Sequence, residues 1–295
     1  MSSLTQVSKA PDTIKWYHHT AAVPLRLLSS LNLGPLGGEN SIAAVIETVI
    51  ARKKGQEITF SLSKSDQFFV EQFTKSEPPD EMIEYRELNH QAQEEIIRRW
   101  GDQRLGIIWL GAGVFTLEHP LLAERQQRDW HVWSDASPRI VESALKRFNE
   151  LEQYQQLGKL SRGITLPYDV EQLNQVIDFL APNVSHIVVF GYGVTYALTA
   201  EENYRWLSRL RLPQNLDVSF VFNSPGAAIP FLPGLMAAFH QQRMVYYDTS
   251  NISDLFAAAV PGSEIIWEIP REQTRNKLWG TWLILSPADK RPQTA

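Results

Sequence analysis

The chain has 295 residues, no cysteine, 28 Lys and Arg against 33 Asp and Glu, and a formal net charge of −5. That balance disfavours a polyanionic partner, so no nucleic acid is expected, and the lack of thiols removes disulfides, cysteine nucleophiles and cysteine-held metal. With 43% apolar and 21% charged residues the chain is of ordinary globular composition. No apolar run reaches the roughly 18–20 residues that cross a membrane.

Residues 1–12 are polar and read as disordered, without the apolar core of a signal peptide, so a cytoplasmic location is expected. From Asp12 the chain turns aromatic and apolar, and Pro24 is expected to limit any helix there. After the break at Gly34-Pro35-Leu36-Gly37-Gly38, Ile42, Val45, Ile46, Val49 and Ile50 form one helical stripe. Residues 58–63 alternate apolar and polar, and 65–73 suggest a short helix carrying Phe68, Phe69 and Phe73. The stretch 80–100 predicts a helix with Tyr85, Leu88, Ala92, Ile96 and Trp100 on one face and Arg86, Asn89, His90 and Gln93 on its flank. Residues 1–100 therefore read as a mainly helical N-terminal cap.

From Arg104 the pattern changes. Strands are expected at 104–110, 130–134, 161–166, 185–190 and 217–222, with helices near 118–128, 137–156, 169–181, 199–210 and 230–242. Regular alternation predicts a doubly wound, mostly parallel α/β sheet over residues 101–288. The last strands, 264–269 and 278–285, are too close for a crossover helix and should pair antiparallel. Met244–Tyr247 is either a further short strand or an extension of the preceding helix.

In such a sheet, ligand contacts lie just beyond the strand ends. The first strand ends at Gly111-Ala112-Gly113, where missing side chains let backbone N–H groups approach a ligand. Asp135-Ala136 follows the second, with Asp135 standing 22 positions after Gly113 and suited to accept from ribose hydroxyls. Tyr168-Asp169-Val170 follows the third, offering a carboxylate to an adenine amino group. Phe190-Gly191-Tyr192-Gly193 follows the fourth, and its glycines are expected to open space beside a cofactor. Asn223-Ser224-Pro225-Gly226 after the fifth reads as a turn on the substrate side.

In these positions the stretch from about residue 100 to 285 resembles the class I S-adenosylmethionine-dependent methyltransferases. The resemblance implies S-adenosyl-L-methionine as cofactor, held by Gly111, Ala112, Gly113, Asp135, Ala136, Tyr168, Asp169, Val170, Phe190 and Gly191. There are two departures. Trp109 stands where the family usually has an acidic residue, and Phe115 replaces the usual third glycine. The contact to the methionine ammonium would then fall to backbone carbonyls near Leu110 and Phe190, or to the cap. An NAD(P)-dependent oxidoreductase competes for the same turn, but its last glycine would fall on Thr116. A non-catalytic methyltransferase-like binding module is the third alternative, motivated by Trp109.

Methyl transfer from a sulfonium mainly requires a positioned acceptor, and a base only for a hydroxyl or amine. The resemblance makes His19, His90 and Tyr192 the catalytic candidates and Tyr17, His18, Arg86 and Tyr196 the substrate-binding ones. His119, His131 and His186 fall within secondary elements and read as structural, and no histidine pair has metal-ligand spacing. The expected acceptor is a small molecule or short peptide, as in natural product biosynthesis, with O-methylation of a hydroxyl or carboxylate favoured over N-methylation. The oligomeric state is left open, a homodimer included.

Overall fold

The computed structural model describes residues 14–30, 80–111, 125, 128–134, 170–191, 194–226, 238, 245–275 and 277–291. Expected elements at 41–54, 58–63, 65–73, 118–124, 137–156 and 161–166 lie outside these residues.

Among the described residues two helices precede the sheet, α1 (Trp16–Ser30) and α2 (Asp80–Trp100). They are followed by β1 (Leu105–Trp109), β2 (Trp130–Trp133), α3 (Val170–Leu180), β3 (His186–Phe190) and α4 (Ala200–Leu207). The described chain closes with β4 (Val218–Pro225), α5 (Thr249–Ala259), β5 (Glu264–Ile269) and β6 (Trp279–Ser286).

The six strands form one sheet in the order β2-β1-β3-β4-β6-β5. The first four are parallel neighbours, whereas β6 runs antiparallel to both β4 and β5. The expected antiparallel closing pair is present, and its last strand inserts between β4 and β5 rather than adding at the edge. β5 ends this order on one side and remains half-exposed.

The inner strands are buried on both faces, and their residues divide with a period of two. Ile108, Ile187, Val189, Val218, Phe220, Phe222, Trp282 and Ile284 join one core with the apolar stripes of α3, α4 and α5. Leu105, Ile107, Trp109, Val188, Phe190, Val221, Trp279 and Leu283 join the opposite core with Tyr85, Leu88, Ala92 and Ile96 of α2. The stripe read from the sequence of α2 is the face that covers the sheet. α2 descends from the carboxyl end of the parallel strands, where Glu84 Oε1 accepts from the N–H groups of Leu278 and Trp279. It ends at the amino side, where Trp100 stacks on His186 at 4.0 Å.

A buried ion pair fixes the entry to β1 and β2. Arg125 donates to both Asp129 oxygens at 2.5 and 3.0 Å and to the carbonyls of Gly101 and Gln103, each at 2.5 Å. Asp129 accepts in turn from the Leu105 N–H at 3.0 Å.

Three local expectations are corrected. α1 runs through Pro24, giving up one helical hydrogen bond while its Ala22 and His18 face is buried. Asn223-Ser224-Pro225 is not a turn but the end of β4, paired with Thr281, Gly280 and Trp279 of β6; Pro225 sits at the last strand position, where a missing N–H is tolerated. α5 was not foreseen. Asp248 and Asn251 form its reciprocal capping pair, and Ile252, Leu255, Phe256 and Ala259 form its buried stripe.

Candidate functional site

The chain leaves β1 for β2 on one side and later takes up β3 on the other, so the winding reverses between β1 and β3. The crevice beyond their carboxyl ends is where such sheets bind ligands. Its floor is held by bonds that continue past the strands. The Leu110 N–H donates to the Phe190 carbonyl at 2.8 Å, and the Ser134 N–H and hydroxyl both donate to the Trp109 carbonyl at 2.9 Å. The ends of β1, β2 and β3 are thereby drawn level. Gly111 is the next residue out and has φ of 58°, a left-handed conformation that favours glycine. The glycine turn read from the sequence is therefore present at its first position, while Ala112 and Gly113 lie outside the described residues.

At the end of β3, Gly191 has a different role from the expected one. Its missing side chain does not leave open space for a cofactor. A Cβ there would stand 2.9 Å from Thr195 Cγ2 and 3.1 Å from the Phe222 ring, so the chain's own residues fill the gap. Gly191 also donates to the Val221 carbonyl at 2.8 Å, extending the β3–β4 ladder.

Beyond it a short 3-10 turn, Thr195–Ala197, is fixed by a buried polar network. Thr195 Oγ1 donates to the Asn223 carbonyl at 2.9 Å. Asn203 Nδ2 donates to the Thr195 carbonyl at 2.8 Å and to Tyr247 Oη at 2.9 Å, and Trp206 Nε1 donates to Asn203 Oδ1 at 2.9 Å. Tyr247 Oη donates to the Leu198 carbonyl at 3.0 Å, and its N–H donates to Ser224 Oγ at 2.8 Å. The Val245 N–H donates to the Tyr196 carbonyl at 2.7 Å. These bonds tie Thr195–Trp206, the end of β4 and Val245–Tyr247 to one another and set the place of Tyr196. Sequence reasoning missed Thr195, Asn203 and Tyr247, and it read Ser224 only as part of a turn. The one available signal was Asn203, a polar residue beside Trp206 and Leu207 on the buried face of α4.

Tyr196 lies at the crevice end of the sheet, its ring 5.3 Å from that of Trp279, and Tyr85 of α2 packs on the same indole at 5.1 Å. Burial pushes the Tyr196 phenol up to about 12, so it is protonated at neutral pH and acts as a hydrogen-bonding group rather than a base.

The remaining candidates fall as follows. Val170 is the buried first residue of α3, and Phe190 is buried with its carbonyl engaged by Leu110. That engagement takes up one of the carbonyls proposed for an ammonium contact. Arg86 and His90 lie on the outer flank of α2, with His90 half-exposed and 2.9 Å from Glu94. On α1, Tyr17 and His19 are exposed and His18 is buried. His18 Nδ1 accepts from the Lys15 N–H at 3.0 Å, and burial, then the charges of His19 and Lys15, lower its pKa. Asp135, Ala136, Tyr168, Asp169 and Tyr192 lie outside the described residues, although Asp135 is next in sequence to the Ser134 that is bonded to β1.

Trp109 points into the core beneath α2. Its ring stacks on Phe190 at 4.4 Å, and its indole N–H donates to His131 Nδ1 at 3.3 Å. His131 and His186 are buried within β2 and β3, as expected of structural histidines, and burial drives both pKa values down to about 3. Among the described residues no group of three His, Asp or Glu side chains can hold a metal, and no helix is long and apolar enough to cross a membrane.

No family model matches the chain, and no curated protein matches it in sequence. Among solved structures it is similar to a candidate methyltransferase from Thermobifida fusca, with a TM-score of 0.53 and 12% identity over 81% of this chain and 93% of the other. Geranyl diphosphate C-methyltransferase from Streptomyces coelicolor, solved with S-adenosyl-L-homocysteine, matches at a TM-score of 0.42 and 11% identity over 74% of this chain and 88% of its own. A SAM-dependent methyltransferase of Methanosarcina mazei matches at 0.42 and 12% identity over 64% of this chain and 95% of its own. These last two are too distant to add to the first. The sheet order, the reversed last strand and the Thermobifida match give the chain the fold of the class I S-adenosylmethionine-dependent methyltransferases.

Proposed function

We propose that the chain is an S-adenosylmethionine-dependent methyltransferase acting on a small-molecule or short-peptide acceptor, with an acceptor hydroxyl or carboxylate favoured over nitrogen. The observation that carries this reading is the level arrangement of three strand ends. Gly111 turns out of β1 in a left-handed conformation, and Ser134 pins the end of β2 beside it through the Trp109 carbonyl. Asp135 comes next in sequence. A glycine that lets the backbone close on a ligand, followed by a carboxylate one strand away, is the donor and acceptor set an adenosyl group needs. On this reading Gly111, Ala112 and Gly113 would cradle the cofactor, and Asp135 would accept from its ribose hydroxyls. Asp169 would accept from the adenine amino group.

When bound, S-adenosylmethionine would supply an electrophilic sulfonium methyl group; a carboxylate acceptor would take it without a base, whereas a hydroxyl would first have to give up its proton. The protein's task is then to align the acceptor and exclude water. The buried network of Thr195, Asn203 and Tyr247 suits alignment, because it fixes the turn Thr195–Ala197 that follows β3. Tyr196 stays protonated and is a hydrogen-bonding group there.

Calorimetric titration with S-adenosylhomocysteine and, separately, with NAD tests the reading. Binding of the former alone is expected, and Asp135→Ala should weaken it about tenfold or more through lost bonds to a charged acceptor. Binding of NAD, or of neither, would overturn the proposal. Mass spectrometry of small-molecule extracts incubated with methyl-labelled cofactor then identifies the acceptor.

A further inference from the structure

The link between β5 and β6, residues 271–277, carries Arg271, Arg275 and Lys277 against the single carboxylate of Glu272, in a chain of net charge −5. Arg271 is the cation of this group that the fold holds in place. Its backbone lies over β6, where a Cβ on Gly280 would stand 3.6 Å from the Arg271 nitrogen. Its side chain crosses toward β4. A Cβ on Gly226, the residue after β4, would meet Arg271 Nη1 at 3.1 Å and Cδ at 3.6 Å, so the glycine leaves the room that the guanidinium occupies. With the strands ordered β3-β4-β6-β5, the head is turned back from the β5 side toward the crevice.

The head is fixed where it lies. Arg271 Nε donates to Glu272 Oε1 at 2.8 Å, and the guanidinium carbon lies 5.0 Å from the centre of the Tyr246 ring. Tyr246 sits between Val245, whose N–H donates to the Tyr196 carbonyl, and Tyr247, whose N–H donates to Ser224 Oγ. The ring under the guanidinium is therefore carried by the same network that sets the turn after β3.

These contacts leave over the outer edge of the fork. Nη1 and Nη2 have no acceptor among the described residues, and 32% of the side chain is exposed, so a ligand can reach them. The two carboxylates that act on Tyr246 are committed elsewhere, Glu272 to Nε and Asp248 to the Asn251 N–H and the Ser250 hydroxyl at the cap of α5. A planar fork already stacked and paired at Nε has little freedom left to lose, and its two terminal nitrogens match the oxygens of a carboxylate or phosphate. Register sets its height. Phe190 pairs with Val221, and Gly226 follows five residues later, roughly 16 Å further at about 3.3 Å per strand residue.

We propose that Arg271 receives an oxyanion carried by the methyl acceptor, a carboxylate or phosphate remote from the methylated atom, through its Nη1 and Nη2 hydrogens. This rests on the methyltransferase reading and names the substrate class for it.

The test uses the full chain with isotope-labelled arginine. NMR follows the Arg271 Nε–H signal, assigned by its loss in Arg271→Gln. Benzoate, phenyl phosphate and neutral benzamide are titrated at constant ionic strength, with and without S-adenosylhomocysteine. At least one anion should give a saturable shift at a midpoint about fivefold or more below that of benzamide, the preference expected of charge-assisted bonds at a part-exposed site. The tighter anion tells a carboxylate from a phosphate. Arg271→Gln should abolish the preference, read by saturation transfer on the same probes. Gly226→Ala, whose added Cβ displaces Nη1, should weaken the anions about threefold or more and leave benzamide unchanged. Glu272→Gln keeps an acceptor for Nε but removes the competing charge, and should tighten the anions about twofold or more. Equal midpoints for the anions and benzamide, a preference that survives Arg271→Gln, or anions that bind no tighter to Glu272→Gln would each overturn the inference. If S-adenosylhomocysteine binds and neither anion shifts the Arg271 signal, the inference fails alone. If S-adenosylhomocysteine does not bind, the methyltransferase reading fails and the anion titration judges Arg271 by itself.

Discussion

Replacing Gly191 by alanine separates two explanations for that glycine. If it clears room for a ligand, an added methyl group should cost binding and leave stability alone. The structure predicts the opposite order. The new Cβ would lie 2.9 Å from Thr195 Cγ2 and 3.1 and 3.2 Å from two carbons of the Phe222 ring. Neither neighbour has room to yield. Thr195 and Phe222 are both fully buried, and Thr195 is also held by its bond to the Asn223 carbonyl. Overpacking of this kind costs about 1–3 kcal/mol. Unfolding entropy near 2.1 cal/mol/K per residue gives about 0.6 kcal/mol/K for a 295-residue chain, so the melting temperature should fall by about 2–5 °C. Calorimetric melting, together with a urea midpoint that falls at constant slope, measures this. Gly106→Ala is the control. Its added Cβ meets the tip of Leu180 at 3.2 Å and Val184 methyls at 3.3 and 3.4 Å, contacts that a flexible leucine end can relieve, so its loss should be smaller. A Gly191→Ala protein melting within about 1 °C of the parent, or below it by no more than the Gly106 variant, would refute the packing argument.

The other predictions concern what holds the site in place. Glu84→Ala should destabilise by about 1–3 kcal/mol, since the buried Trp279 N–H and the part-buried Leu278 N–H lose their acceptor, whereas Glu84→Gln, which keeps a carbonyl, should lose under about 1 kcal/mol; urea unfolding compares them. Arg125→Met should cost about 3–5 kcal/mol by leaving Asp129 buried and uncompensated, and Asp129→Asn in the same chain should recover part of the loss in the same assay. His131 and His186 titrate near 3 in the fold and near 6.5 when unfolded, so the unfolded chain binds more protons between those values. Their contribution is complete above about pH 6.5 and is lost on acidification, by about 2 kcal/mol per histidine at pH 5. His186→Gln, which retains a partner for Ser219, should roughly halve that pH dependence of the urea midpoint.

Where the sequence was readable, period and punctuation were unambiguous. α2 spans the residues its apolar spacing marked, and β1, β2 and β3 fall within a residue of their apolar runs. The closing hairpin followed from loop length alone. What escaped was decided by partners distant in sequence. The end of β4 carries Asn223, Ser224 and Pro225, which locally spell a turn, and only the ladder with Thr281, Gly280 and Trp279 makes them strand. Asn203 bonds a tyrosine 44 positions away, a pairing no local pattern encodes. The helix of α5 carried its own signals, Asp248 and Asn251 at the cap and a clean apolar stripe, but its Thr249-Ser250-Asn251 opening resembled loop.

Trp109 shows why a motif read position by position misleads about chemistry. Its departure from the family's acidic residue motivated the non-catalytic alternative. In the sheet, however, residues 105, 107 and 109 of β1 face α2, and the opposite core takes Ile108. A side chain at 109 therefore lies in the layer under α2, stacked on Phe190, and what it presents to the crevice is its carbonyl, already bonded twice by Ser134. The substitution changes the packing beneath the strand ends and fixes the end of β2 against β1, the geometry that brings Asp135 next in the chain. Trp109→Phe should accordingly lower stability, by removing the bond to His131, while leaving S-adenosylhomocysteine affinity within about twofold in a calorimetric titration. A variant that keeps its melting temperature and loses the ligand would place Trp109 in the cofactor site after all.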